Sequence, residues 1–344
     1  MQLFWEEAKK PFKSKRTLLI MLAILLIQIG SVFPDYFDFT KRCGSVEAYN
    51  EYANAYNNQI SEKYVKKEDI TKMLKDSYIG RDTSKETIFY NQYLAAVCRS
   101  ISWKETKENE NVPVFWNSIG INKLVQNLNS FVSGIFIFIG LLFGVSCIFI
   151  WDEENGMDQI IYSSSRGRKH IISAKCFGCF VFAFTWATIY YFSIAALTIG
   201  LYHNANALKA PINSIACLGF CETPIKVWQF LGMGYICVLI GSILISMLFA
   251  LVYTKIKNNV LVLGIGMLLV FMPVVVPKNG VLGKIFCMLP TSFCDTSMLI
   301  GENVNLSILN RNISIVNLGC IFLIIISVLV YLIIKKTFWK GRVE

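Results

Sequence analysis

Charged residues and histidines are scarce in this chain of 344 residues. Only 16% of the residues are Asp, Glu, Lys or Arg, 54% are hydrophobic, and there are two histidines. Soluble domains usually carry about 25% charged residues, so the composition excludes an ordinary soluble protein and predicts a polytopic membrane protein. His170 and His203 fall at opposite membrane faces in the topology derived below, so they cannot form one catalytic or metal site.

Signatures of nucleotide binding and of ion coupling are absent as well. No G-x-x-x-x-G-K-[ST] occurs in the sequence, so no P-loop can bind ATP here. The predicted spans carry no Asp, Glu, Lys or Arg at their centres, unlike most ion-coupled carriers and pumps. Cys176 and Cys179 match C-x-x-C, but they open a span and lack a second ligand pair. We therefore expect no catalytic, cofactor or metal site, and an energy source outside this chain.

Long apolar runs are what the chain has instead. Six runs are long enough to cross a bilayer as helices: residues 17–33, 131–151, 174–201, 229–253, 260–276 and 314–334. The first run lacks a small-residue cleavage site, so we expect it to be a retained span rather than a signal peptide. Gly140 and Gly144 have the G-x-x-x-G spacing that permits close helix approach. The predicted fold class is an all-α membrane protein with six transmembrane helices.

Positive charges predict the orientation of these spans. Five Lys or Arg lie in residues 1–16, three in 152–173, two in 254–259 and four in the tail 335–344. Short cytoplasmic flanks are rich in such residues, so we expect both termini in the cytoplasm and the protein in the cell membrane. The net charge of +10 is thereby explained without nucleic acid as a partner.

Two segments outside the spans have patterns of their own. The apolar side chains of residues 1–16 share one face of a helix: Met1, Phe4, Trp5, Ala8 and Phe12. This pattern predicts an interfacial helix that Pro11 bends or ends, an elbow leading into span 1. Residues 34–130 form the one large polar segment, which we expect to be a mainly helical extracellular domain.

Cysteines occur both inside and outside the predicted spans. Five of the eleven lie in or at spans, where they act as small apolar residues. The other six lie in external segments, two in each: Cys43 and Cys98, Cys217 and Cys221, Cys287 and Cys294. The even count in each segment suggests disulfides, Cys43–Cys98 above all, and chance parity is the alternative.

The stretch 152–173 between spans 2 and 3 is too polar for hydrocarbon. Met157, Ile160 and Ile161 recur at helical spacing, which predicts a short amphipathic helix. Three serines, 163–165, and Gly167 then interrupt it, as turn residues do. The alternative is an ordinary charged loop that anchors two spans.

The order of residues in this stretch resembles the loop after the second span of ABC-2-type transporter permeases, the membrane subunits of bacterial ABC exporters. The matching positions are Glu154-x-Gly156, Ile160-Ile161, Ser163-Ser164, Gly167-Arg168, Ile171-Ile172 and Ala174-Lys175. Many members carry a proline in the serine-rich segment, and this chain has none there. In that family the loop is a coupling helix that docks on a separate ATP-binding subunit, and an N-terminal elbow helix is usual.

The resemblance implies roles for particular residues and partners. Glu153, Glu154, Gly156, Met157, Ile160 and Ile161 are expected at the contact with the ATPase. Arg166, Arg168 and Lys175 are expected to anchor the loop at the phospholipid interface or to the ATPase. ATP and Mg²⁺ would bind to the partner ATPase, with no cofactor in this chain. A second permease half, identical or homologous, and membrane lipids complete the expected partners.

The function implied is outward transport of an amphipathic substrate: a peptide or antimicrobial, a drug, or a lipid-like molecule. An FtsX-like signalling or mechanotransmission protein is the first alternative, since it also has an external domain after span 1 but normally four spans. An ATP-independent carrier or a membrane enzyme is the second alternative. The uncharged span centres and the presence of only two histidines disfavour the carrier and the membrane enzyme.

Overall fold

The fold is taken from a computed structural model of the chain. The structure describes residues 2–48, 50–51, 119–156, 165–203, 205–210, 212, 215, 218, 225–256, 258–275, 287–301, 305–308 and 311–340. Most of the predicted external domain lies outside these residues, and so do Met157, Ile160, Ile161 and Cys98. The Cys43–Cys98 disulfide and the coupling helix therefore stay predictions.

Helices make up nearly all of the part that the structure describes. Those before the first strand are α1 (Gln2–Lys13), α2 (Lys15–Cys43), α3 (Ile119–Leu128), α4 (Phe131–Glu154), α5 (Ser165–Tyr202), a 3₁₀ turn (Ala205–Lys209), α6 (Val227–Lys255), α7 (Asn259–Val275), α8 (Pro290–Phe293) and α9 (Thr296–Gly301). Strands β1 (Asn305–Ile308) and β2 (Arg311–Ser314) and helix α10 (Ile315–Lys340) follow.

Five of these helices are long and apolar enough to cross a membrane: Lys15–Lys41, Phe131–Asp152, His170–Tyr202, Val227–Lys255 and Val316–Thr337. They correspond to predicted spans 1, 2, 3, 4 and 6, so the polytopic character is confirmed. Predicted span 5 corresponds to α7, which has 17 residues and a shorter apolar part, Val260–Phe271. A sixth crossing there stays a prediction.

Helix α2 does not end with predicted span 1 at residue 33 but continues through Pro34 to Cys43. A proline removes one backbone donor and need not stop a helix whose other i→i−4 bonds remain. The stop signal is Gly44, whose φ of +83° suits glycine and whose N–H donates to Thr40 O at 2.9 Å. The start of α2 is capped by Ser14, whose Oγ accepts from the Thr17 N–H.

The predicted N-terminal helix is present as α1, and its position in the membrane interface stays a prediction. It ends at Lys13, two residues after Pro11. Its backbone lies directly on α5: a Cβ added to Gly178 would stand 3.2 Å from Glu7 O. The rings of Phe4 and Trp5 pack edge-on against Phe177 of the same helix.

Packing of α4 against α5 explains the G-x-x-x-G spacing. A Cβ added to Gly140 would stand 2.5 Å from Trp186 Nε1, and one added to Gly144 would overlap the Phe182 ring. Trp186 and Phe182 are fully buried, and the Trp186 indole N–H donates to Ile137 O at 3.0 Å. Because the two glycines have no side chain, the aromatic rings of α5 pack directly against the backbone of α4. The predicted close approach is confirmed.

The C-terminal region contains a feature that the all-α prediction misses. Strands β1 and β2 form an antiparallel hairpin with Asn305 opposite Ser314 and Ile308 opposite Arg311, and α10 follows at once. Four-residue strands beside an apolar run leave little alternating pattern to detect. Upstream of the hairpin, Cys287 and Cys294 are both buried, and no disulfide joins these two residues.

Candidate functional site

The two ends of the polar loop are joined by an ion pair between α4 and α5. Asp152 lies in the last turn of α4, and Lys175 lies in the third turn of α5. Lys175 Nζ is 2.7 Å from Asp152 Oδ2, and the two side chains are only 4% and 5% exposed. The chain leaves α4 and returns in α5 at one place, so the ion pair fixes the base of the loop.

Helix α1 joins the same site from the N-terminus. Lys10 Nζ is 2.6 Å from Asp152 Oδ1 and 2.5 Å from Glu7 Oε1. Asp152 therefore lies between two buried ammonium groups, one from α1 and one from α5. We call Glu7, Lys10, Asp152 and Lys175 the base cluster. It contains two carboxylates and two ammonium groups, so it is formally neutral.

Lys175 is the most completely bound member of the base cluster. Its ammonium donates to Ile148 O at 3.1 Å and to Phe149 O at 3.4 Å, and it lies 5.2 Å from the centre of the Phe149 ring. A cation near the C-terminal turns of a helix is favoured by the exposed carbonyls and the helix dipole. Lys175 thus stabilises the end of α4 as well as pairing with Asp152.

Burial makes the base cluster sensitive to the loss of any member. Breaking a buried ion pair leaves an uncompensated charge, which typically costs about 3–5 kcal/mol. Desolvation raises the pKa of Glu7, although the hydrogen bond from Lys10 and the positive charge of Lys175 oppose the change. Glu7 Oε2 has no hydrogen-bond partner in the part of the chain described. Exposed Glu6 behaves oppositely, because hydrogen bonds from Lys9 and Lys13 lower its pKa.

The start of the predicted coupling loop is well defined. Gly156 has φ of +63°, a left-handed conformation that favours glycine, and it ends the turn after α4. Exposed Glu154 forms a long ion pair with Arg16, whose Nη1 lies 3.4 Å from Glu154 Oε1. Glu153 lies in α4, and Arg166 and Arg168 lie in the first turn of α5. The side chains of these last three residues lie outside what the structure describes.

Lys175 is bound inside the chain, and its expected contact with the phospholipid interface or the ATPase stays a prediction. Its side chain is buried and pairs with Asp152 of α4. The sequence contained a signal for this: a lysine inside an apolar run requires a partner, and Asp152 ends the preceding span. The contribution of Lys10 and Glu7 had no such signal, because on the helical wheel of α1 they belong to the charged side.

Taken together, the fold and the site define a polytopic helical membrane protein with a polar loop anchored by buried charges. Within the described residues, no three His, Cys, Asp or Glu side chains come together as a metal site. The sequence pattern of the ABC-2 family transporter proteins matches residues 1–293.

The chain therefore belongs to the ABC-2 transporter family and is a membrane permease of an ABC transporter. Members of this family are membrane subunits that work with an ABC ATPase. Helix α10 lies beyond the matched residues. No curated protein and no solved structure matches the chain.

Proposed function

We propose that this permease is the membrane subunit of an ATP-driven exporter, and that residues 152–173 dock on a separate ATPase subunit. The observation that carries the proposal is the base cluster. Asp152 joins α4 to α5 through Lys175 and to α1 through Lys10. A force on the loop would therefore reach two spans and the N-terminal helix together.

The direct packing of α1 on α5 supports transmission through a rigid unit. The close contact at Gly178 and the ring contacts of Phe4 and Trp5 with Phe177 leave little freedom between these helices. Packed cores transmit small displacements because they do not deform continuously. In this proposal, ATP binding moves the loop, and α1, α4 and α5 move with it.

Docking residues are assigned from the loop pattern. Met157, Ile160 and Ile161 form an apolar face that enters a groove of the ATPase, since buried apolar anchors dominate most interfaces. Glu153 and Glu154 contact the rim, Gly156 sets the turn into the docking helix, and Arg166 and Arg168 anchor its far end. Lys175 acts from inside, as a residue that positions the loop.

The substrate proposed is amphipathic: a peptide or antimicrobial, a drug, or a lipid-like molecule, moved outward. The absence of charge at the centres of the spans favours an apolar path. The predicted domain in 34–130 favours peptide export or self-protection against antimicrobial peptides. A second permease subunit, identical or homologous, would complete the path of the substrate across the membrane. The FtsX-like alternative predicts four crossings, whereas five described helices are long and apolar enough to span.

Reconstitution tests the proposed function. The chain is co-expressed with a candidate ABC ATPase from the same genome, and inside-out vesicles are given a fluorescent amphipathic peptide. We expect accumulation of the peptide inside the vesicles with ATP, and none with a non-hydrolysable ATP analogue. Binding of the ATPase without any ATP-dependent accumulation of peptide, drug or lipid probes would favour the signalling alternative.

A further inference from the structure

A cavity of about 540 Å³ lies where the N-terminal elbow meets the last turns of α4. Its lining is basic where α1 passes into α2, at Lys13, Lys15 and Arg16, and mainly apolar along α4, at Phe143, Ile150 and Trp151, with the carboxylate of Glu154 at the end of α4. This volume falls within the range of about 300–1,000 Å³ that is usual for small-molecule sites.

The cavity lies at a membrane boundary. Lys15 begins one candidate span, and Asp152, which follows Trp151, ends another. Just beyond Lys15 and Arg16, α2 exposes the large apolar side chains Leu18 and Leu19. Tryptophan is enriched at this depth, where one end of the ring is apolar and the other is wet. The basic side of the cavity is therefore level with lipid headgroups.

The basic side chains are available to a ligand. Lys15 has no ion pair within the described residues, and it is exposed. Lys13 pairs with Glu6 at 3.2 Å and Arg16 pairs with Glu154 at 3.4 Å, and all four of these side chains are about half exposed or more. Exposed pairs of this kind contribute about 1 kcal/mol or less, so a phosphate can replace them.

We propose that this cavity binds an anionic glycerophospholipid from the adjacent leaflet. The phosphate would lie on Lys13, Lys15 and Arg16, and the glycerol and first acyl carbons would lie on Phe143 and Ile150. Basic pockets beside membrane helices recognise anionic headgroups through such charges. The apolar wall distinguishes a lipid from a soluble anion, because only a lipid has acyl carbons that gain binding free energy by contact with this wall. The site goes beyond the proposed coupling to an ATPase and does not require one.

Native mass spectrometry of the purified, delipidated permease tests the site without an ATPase. The probes are dioleoylphosphatidylglycerol and dioleoylphosphatidylcholine, with inorganic phosphate as competitor. We expect at least tenfold tighter binding of the first phosphatidylglycerol than of phosphatidylcholine, and no displacement by millimolar phosphate. The double variant Lys15→Gln with Arg16→Gln should weaken phosphatidylglycerol binding at least tenfold.

A matched control removes two charges from the same face outside the cavity: Lys335→Gln with Lys336→Gln, both exposed. Tyr331 of α10 donates to Ser173 of α5 at 3.3 Å, which places this end of α10 beside the start of α5. The control should keep wild-type affinity. Ile150→Trp fills the cavity without changing charge and should also weaken binding, so it decides the question if the double variant misfolds.

Three results would overturn the lipid site. Equal affinity of the double variant and its control would mean that general surface charge attracts the lipid. Equal binding of the two lipids would mean that the headgroup is not recognised. Displacement by inorganic phosphate would assign the cavity to a soluble anion. Each result leaves the docking of an ATPase on the loop untouched, so the two proposals fail separately.

Discussion

Lys10 and Asp152 are 142 positions apart in the chain, yet Lys10 Nζ lies 2.6 Å from Asp152 Oδ1 in a buried site. The contact joins the N-terminal helix to the end of α4, at the point where the chain leaves its second span. With Lys175 on the other oxygen of Asp152, the base of the loop is held by charges from three helices. The consequences are testable at single positions.

Replacing Asp152 should destabilise the permease. Asp152→Asn leaves Lys10 and Lys175 buried with one carboxylate between them, and we expect a loss of about 3–5 kcal/mol of unfolding free energy. Denaturant titration of the purified protein, followed by circular dichroism, measures the loss. The matched control is Glu154→Gln, which removes the exposed ion pair between Glu154 and Arg16, 3.4 Å apart. This change should cost about 1 kcal/mol of unfolding free energy or less. Equal losses in the two variants would mean that the base cluster contributes no more than a surface pair.

The raised pKa of Glu7 predicts a pH dependence with a definite sign. Between its ordinary value of 4.5 and the raised native value, the native state keeps a proton that the unfolded state has lost. The contribution of Glu7 to stability is therefore present below pH 4.5 and is lost as the pH rises through the native pKa. Lys10, Asp152 and Lys175 face Glu7 and remain in the variant Glu7→Gln, which lacks this titration.

The measurement is the melting temperature of the wild type minus that of Glu7→Gln, followed from the ordinary pKa of 4.5 upward. This difference should fall with rising pH and then level off. A difference that grows with pH would show that the native pKa of Glu7 is lowered instead, and that the ion pairs with Lys10 and Lys175 outweigh desolvation.

Periodicity and local chemistry predicted the spans, but they could not predict which charges pair. The apolar runs located five helices of spanning length, and the spacing of Gly140 and Gly144 located the close packing of α4 on α5. The run 17–33 does not show that α2 extends through Pro34, because a proline is a local signal and the helix around it is stabilised by its neighbours. The base cluster depends on α1 folding back against α4 and α5, a tertiary contact between Lys10 and Asp152 that no pattern of neighbouring residues encodes.

Two glycines give a matched test of the helix packing. Gly144→Ala would place a methyl group against the buried Phe182 ring, and overpacking of this kind usually costs about 1–3 kcal/mol. Gly200→Ala meets nothing within 4 Å and should be neutral or stabilising by about 0.5–1 kcal/mol, because alanine is the better helix former. Thermal unfolding in detergent compares them. Equal effects would contradict the packing of α4 on α5.

Labelling tests the predicted orientation of the membrane spans. In a cysteine-free background, a cysteine introduced at Asn58 should react with a membrane-impermeant maleimide in intact cells, because 34–130 is predicted to be outside. One introduced at Ser164 should react only after the cells are permeabilised, since 152–173 is predicted to be cytoplasmic. Labelling at Ser164 in intact cells would invert the topology and remove the loop from any cytoplasmic ATPase.

Co-purification of a co-expressed ABC ATPase with variants of the loop tests the central proposal most directly. Ile160→Asp with Ile161→Asp places two charges on the apolar face and should release the ATPase, because buried apolar anchors dominate such interfaces. Glu153→Ala, at the rim, should only weaken coupling.

The matched control, Gln159→Asp with Tyr162→Asp, adds the same two charges on the opposite side of the predicted helix. At equal membrane levels, we predict that the ATPase stays with the wild type and the control and is lost from the Ile160 and Ile161 double variant, together with transport. An ATPase that remains bound to that double variant while transport continues would contradict docking through the loop.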